Sequence, residues 1–150
     1  KGNTQLVELI DEFQLRDNVR LCGRRTDIAA VNNGLDIASS SSSWGEAFPN
    51  AIAEAMACGT PCVATDVGDV RDIIDETGIV VPPRDPIALS AGWTKLAALG
   101  MEGRRALGTR ARQRIIDRFS LATNAQKYAA IYRGIAHMRS DATSVRGAGK

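Results

Sequence analysis

With 150 residues, the chain has room for one domain with its own core and is short for two. A formal net charge of +2 offers no basic surplus for nucleic acid, and 5% aromatic content leaves no stacking platform for bases. No apolar run reaches the roughly 18 residues of a membrane-spanning helix. The chain opens on Lys1-Gly2-Asn3, without an initiator Met or a signal-peptide pattern, and reads as a segment cut from a longer protein.

Apolar positions Leu6, Leu9, Ile10 and Phe13 recur at helical spacing, with Asn3 or Thr4 as the cap. Val19 to Cys22 reads as a first strand, closed by Gly23. Asp27 caps a short helix through Val31, stopped by Gly34. Leu35 to Ala38 is a second strand, followed by a loop of five serines from Ser39 to Ser43. Pro49 opens a helix that runs to about Cys58 and stops at Gly59. Pro61 to Ala64 is a third strand, Val70 to Ile74 a short helix, and Ile79 to Val81 a fourth strand ended by Pro82-Pro83.

Asp85-Pro86 starts a helix through about Leu99. Two more helices cover roughly residues 101–118 and 121–139, and residues 140–150 read as a disordered tail. Short, nearly continuous apolar strands alternating with helices imply an α/β domain: a Rossmann-like, doubly wound parallel sheet covered on both faces over residues 1–139. Sheets of this kind bind ligands in the loops after the carboxyl ends of their strands. The serine loop and the helix after it lie at that edge.

Cys22, Cys58 and Cys62 are odd in number, so they cannot all pair. Cys22 and Cys62 lie in apolar runs read as buried strands, and Cys58 ends an apolar helix. Buried thiols of this kind suit a reducing compartment and place the protein in the cytoplasm. No metal-ligand cluster accompanies them, and the single histidine, His137, reads as a surface residue.

Chemistry concentrates between Glu46 and Glu54. If a helix starts at Pro49, the free N–H groups of Asn50, Ala51 and Ile52 form an anion site suited to phosphate. Glu54 lies more than one turn inside the helix, roughly 7 Å farther along its axis, so the two carboxylates do not share a proton. Both could instead touch one extended ligand, because a carboxylate accepts two hydrogen bonds from a diol. The plainer reading is a glutamate favoured by the positive helix end and another solvated on the helix surface.

The stretch Ser-Trp-Gly-Glu-Ala-Phe-Pro-Asn-Ala-Ile-Ala-Glu-Ala-Met-Ala-Cys-Gly-Thr-Pro-Cys-Val-Ala-Thr-Asp-Val-Gly, residues 43–68, resembles the signature of family-4 glycosyltransferases. These are retaining enzymes of the two-domain B-type fold, and Glu46 and Glu54 match their paired glutamates separated by seven residues. Gly78-Ile-Val-Val-Pro-Pro and Phe119-Ser120 agree with the same family, so the resemblance extends over about residues 5–133. It implies the C-terminal, donor-binding half of such an enzyme. It further implies Glu46 at the donor sugar as the catalytic residue, and the backbone of Ala47, Phe48, Pro49, Asn50 and Ala51 at sugar and diphosphate. Glu54 would meet the ribose, and the Gly23-Arg24 turn would lie beside the base.

The implied activity is transfer of a sugar from a nucleoside-diphosphate sugar to a glycan or lipid-linked acceptor with retention of configuration, as in polysaccharide biosynthesis. No cofactor and no metal are implied, and no Asp-x-Asp motif is present. The implied partners are the nucleotide-sugar donor and an N-terminal acceptor domain absent from this sequence. Two departures stand out: Ala47 replaces a residue commonly glycine, and the family's basic residue for the diphosphate falls upstream of Lys1.

Residues 101–118 hold six arginines against two acids, an excess that suits either a solvated face or peripheral contact with an anionic membrane. Two other functions fit less of the pattern. A sugar-nucleotide 2-epimerase shares the fold but calls for additional acid–base groups. A non-catalytic nucleotide-binding module has no need of Glu46.

Overall fold

The computed structural model describes the backbone of residues 3–147 and the side chains as far as residue 135. Its centre is a three-stranded parallel sheet in the order β1 (Ala38–Ser40), β2 (Cys62–Thr65), β3 (Ile79–Val81). The register pairs Ala38 with Cys62 and Val63 with Ile79. All four residues of β2 are buried, as a central strand covered on both faces requires.

The helices are α1 (Thr4–Glu12), α2 (Ile28–Asn33), α3 (Asn50–Ala57), α4 (Val70–Ile74), α5 (Pro86–Ala98), α6 (Gly100–Phe119) and α7 (Leu121–Gly147). A turn of 3-10 helix, Asp75–Thr77, joins α4 to β3. Cys62 and Ala64 point to one face of the sheet, where they pack with Ile52, Ala55 and Met56 of α3, Ile73 and Ile74 of α4, and Ala111 of α6. Val63 points to the other face and packs with Val81 and with Leu89 and Leu96 of α5. The layers are therefore α/β/α, as the doubly wound reading expects.

Local chemistry explains most element boundaries. Asn3 caps α1 by accepting the Leu6 N–H at 3.2 Å. Asp85 caps α5 by accepting the Ala88 N–H at 2.8 Å, with Pro86 in the first turn. Gly59 follows α3 with a φ of +81°, the left-handed conformation that lets a helix end abruptly.

Several sequence readings change. Val19 to Cys22 is not a strand: Leu21 is 51% exposed and Cys22 is exposed, with no ladder partner among the described residues. An apolar run becomes a strand only where a neighbour supplies hydrogen bonds and cover. The second strand begins at Ala38, three residues later than expected, because Leu35 and Asp36 lie outside the ladder and are exposed. Asp27 stands at the N-cap of α2 but makes no capping hydrogen bond. Its carboxylate is taken by Arg25, at 2.8 and 2.5 Å, which holds Asp27 below the usual carboxylate range. The backbone of α7 is helical as far as Gly147, into the stretch read as a tail, since no Pro or Gly interrupts residues 135–146. Residues 148–150 and the side chain of His137 lie outside the described residues.

Helix α6 is bound to the domain by its arginines. Arg104 pairs with Asp36 at 3.0 Å, and Arg110 donates to the Glu76 carbonyl at 2.7 Å. Arg112 donates to the Ala57 carbonyl at the end of α3. Arg114, only 12% exposed, donates to the carbonyls of Asp72 and Ile73 and pairs with Asp75 at 2.9 Å. Four of the six guanidinium groups thus serve α6's own attachment, and Arg105 and Arg118 make no such bond among the described residues. A pair as open as Arg16–Asp11 adds little stability by comparison.

The tightest approach in the core lies beneath these contacts. A Cβ on Gly108 would stand 1.8 Å from the Gly59 carbonyl oxygen. Gly108→Ala is expected to destabilise the fold by about 3 kcal/mol or more, since backbone and not a flexible side chain blocks the methyl. Equilibrium urea unfolding measures it, and a wild-type midpoint would refute the packing argument.

Burial pushes the Cys62 thiol from 9.0 up to about 12. The folded chain holds this proton more tightly than the unfolded one, so the contribution is fully present below pH 9 and is lost as pH rises toward 12. In native protein at pH 8, a thiol reagent should modify exposed Cys22 rapidly and spare Cys62 until unfolding. Mass spectrometry of the labelled peptides checks this; early labelling of Cys62 would contradict its burial.

Candidate functional site

The loop between β1 and α3 leaves the carboxyl end of β1 and returns to the sheet through α3. Thr65, at the end of β2, donates its hydroxyl to the Ser42 carbonyl at 2.6 Å and so ties the loop to the neighbouring strand. Ser42 in turn donates to Glu46 Oε1 at 2.9 Å. The half-buried Glu46 carboxylate is therefore held by a hydroxyl that is itself fixed to the sheet.

The other side of Glu46 is held through backbone. Gly68, with φ at +59°, passes so close that a Cβ there would lie 2.3 Å from the Glu46 carbonyl oxygen and 2.6 Å from that of Ala47. Asp69 N–H then donates to the Ala47 carbonyl at 2.9 Å. The two carbonyls face the turn after β2. Phe48 packs on Phe119 at the end of α6, with ring centroids 5.7 Å apart, and Pro49 is buried.

This leaves a row of open donors. The N–H groups of Ala47, Phe48, Asn50 and Ala51 make no hydrogen bond among the described residues, and Pro49 has none to give. One expected donor is lost: Ile52 N–H is bonded to the Pro49 carbonyl at 3.1 Å, and its side chain is 1% exposed. The first turn of α3 tightens there, which takes up an amide that an ideal helix leaves free. Asn50 and Ala51 are exposed at the positive end of α3, with no side-chain cap competing for their amides.

Glu54 is exposed on the outer surface of α3, while Ile52, Ala55 and Met56 face the core. Ala47 is not among the residues with positive φ, so its methyl costs nothing conformationally. The left-handed position in this loop is Gly45, with φ at +82°. Gly23 also has positive φ, and Arg24 is exposed. No hydrogen bond or ion pair among the described residues joins either of them to the Glu46 loop. The structure thus brings Glu46, the 47–51 backbone and Glu54 onto one loop and helix start, and leaves Gly23 and Arg24 unconnected to them.

A profile of the glycosyl transferases group 1 family matches residues 1–98. The chain belongs to this family. It is 36% identical over 121 residues to a D-inositol 3-phosphate glycosyltransferase of Salinispora tropica, covering 78% of this chain and 24% of that protein. Among solved structures, a glycosyltransferase of Rickettsia africae is similar over 89% of this chain and 36% of its own, with a TM-score of 0.82 at 27% identity. The Anabaena protein HepE, in complex with UDP-glucose, shares the fold with a TM-score of 0.76 at 22% identity, over 87% of this chain and 36% of that one. The chain spans about a quarter of the length of the first of these family members and about a third of each of the two structures.

Sequence reasoning did not find Ser42, Thr65 or Gly68 as parts of this arrangement. Gly68 lay within the family-like stretch, yet only the fold shows which carbonyls it meets.

The clamp gives a direct expectation. Gly68→Ala should destabilise the protein by about 1–3 kcal/mol, from positive φ and backbone overlap together. It should also displace the amide resonances of Glu46 and Ala47 more than those of the sheet. Unfolding curves with 15N spectra measure both, and an unshifted Glu46 amide would show that Gly68 does not hold the loop.

Proposed function

We propose that this chain is the donor-binding domain of a retaining, family-4 type glycosyltransferase, and that its site receives a nucleoside-diphosphate sugar. The observation that carries the reading is the pairing of a tethered carboxylate, Glu46, with four unbonded amides at residues 47, 48, 50 and 51. Such amides suit a diphosphate, whose negative charge grows as it leaves the anomeric carbon. Glu46 sits where it can accept hydrogen bonds from sugar hydroxyls. Glu54, one turn along the same helix and exposed there, is our candidate for the ribose diol.

In this reading the domain supplies electrostatics and orientation. The Ser42 hydroxyl keeps Glu46 in one rotamer, and the Gly68 turn fixes its backbone, so little reordering accompanies donor binding. An acceptor-binding domain forms the opposite wall of the cleft, and the acceptor is a glycan or lipid-linked glycan. A basic residue from outside this chain assists the diphosphate. In this reading the protein works in the cytoplasm. Separately, among the described residues no helix is long and apolar enough to cross a membrane. Contact with an anionic membrane through α6 would rest on Arg105 and Arg118, since its other four arginines bind the domain.

Titration of the chain with UDP-glucose, GDP-mannose and ADP-glucose, followed by 15N spectra, tests the donor site. One donor should shift the amides of residues 46–54 saturably, and Glu54→Ala should weaken that binding about tenfold, the worth of one good polar contact. Silence from residues 46–54 with every donor would end the proposal. In the complete enzyme, Glu46→Gln should lower kcat by a factor of about 100 or more while leaving the unfolding midpoint unchanged.

A further inference from the structure

A cavity opens beside the Glu46 loop. It measures about 200 Å³ and is lined by Ser41, Ser43, Thr65, Arg84 and Asp85 together with the apolar Pro86 and Leu89. Ser41 and Ser43 flank Ser42, the residue that holds Glu46, and Thr65 is the residue that fixes Ser42. No residue of 47–54 lines the cavity, so a group bound there does not occupy the donor amides. Small-molecule sites usually enclose roughly 300–1,000 Å³, so this one takes a substituent and not a whole nucleotide.

Arg84 is the cation in that cavity, and Asp85 is the one carboxylate in its lining. It lies in the loop between β3 and α5, and its φ of +60° is a conformation that costs a side-chain-bearing residue and suits glycine. Its guanidinium lies over the ring of Trp44, 5.5 Å from the centroid, and forms no ion pair among the described residues. Asp85, the carboxylate in the lining, is engaged in capping α5 through the Ala88 N–H. Trp44 is 74% exposed and stands two residues before Glu46. An arginine at positive φ, stacked on an exposed indole and in no ion pair among the described residues, offers a fork of donors to an anion.

We infer that Arg84, braced by Trp44, binds a phosphomonoester group carried by the acceptor substrate and so selects phosphate-bearing acceptors next to Glu46. The inference rests on the donor-site reading, because an acceptor must approach the same carboxylate from outside the 47–51 amides. Ser41 and Ser43 supply hydroxyl donors to the remaining phosphate oxygens.

The test titrates the 150-residue chain with glycerol 1-phosphate, with and without saturating UDP. It reads the indole N–H of Trp44 against that of Trp93, whose Nε1 donates to Ser39 Oγ at 3.0 Å. Saturable shifts at Trp44, Ser41 and Ser43 are expected in both conditions. Arg84→Gly should lose at least tenfold in affinity while unfolding at a higher temperature, since glycine relieves the positive φ; the fold is thus retained when binding is lost. Three outcomes overturn the inference: no shift at Trp44, equal binding by Arg84→Gly, or loss of the Trp44 response once UDP saturates the chain. The last would assign Arg84 to the donor diphosphate. Failure of the donor reading looks different: UDP leaves residues 46–54 unshifted while glycerol 1-phosphate still moves Trp44.

Discussion

Gly108 lets α6 come down onto the Gly59 carbonyl until no side chain fits between them. That contact sets the position of α3, because Gly59 is the turn that ends α3 and begins the approach to β2. Arg112 reinforces it by donating to the last helical carbonyl of α3, at Ala57. The lower end of the helix is thereby immobilised against both the sheet and α6. Its upper end is immobilised by a second glycine contact, where Gly68 meets the carbonyls of Glu46 and Ala47. Helix α3 is short, and an isolated helix of its length would be marginal. Tertiary clamps at its two ends, and the burial of Ile52, Ala55 and Met56, hold it in place.

The consequence for the site follows from what those clamps leave unused. Carbonyls of the loop are turned inward, toward the turn after β2, while amides at residues 47, 48, 50 and 51 remain open. With the Ser42 and Ala47 carbonyls engaged and four amides open, the loop is better suited to an anion than to a cation before any charged side chain is counted. Glu46 sits within this donor-rich loop without collapsing onto it, because Ser42 holds its carboxylate from the other side. The small residues of α3, Ala51, Ala53, Ala55 and Ala57, keep bulk away from the helix start. The rigidity comes from the sheet and the chemistry from the loop, a division general to α/β domains.

Arginine serves two opposite purposes in this chain. On α6 it is structural: Arg114 is nearly buried and engages carbonyls at the end of α4, so its charge is matched by helix-end dipoles and Asp75. At residue 84 it stands at positive φ over an indole and forms no ion pair among the described residues. Counting basic residues along the sequence could not separate these cases. A basic stretch reads as a surface feature until the carbonyls that it caps are in view.

Much was legible in advance because it depends on neighbours in sequence. Val70–Ile74 and Ile79–Val81 form as expected, and Asp85-Pro86 and Gly59 mark helix ends through their own backbone preferences. The paired glutamates and their surrounding stretch pointed to a glycosyltransferase, and the chain belongs to the glycosyl transferases group 1 family. What depended on a choice among competing partners, near or far in the chain, was not legible. Val19 to Cys22 has strand-like residues but no ladder, and Asp27 has a capping side chain that Arg25 takes instead. Ile52 has an amide that the tightened first turn consumes, and Gly68 has a role set by residues more than twenty positions away. The sequence by itself determined which segments could be helix or strand and that a loop runs from the first ladder strand to the helix carrying Glu54. Only the tertiary structure decided which amides of that loop stay open and which arginines are tied to carbonyls, because each outcome is a competition for hydrogen bonds among partners that the order of residues does not rank.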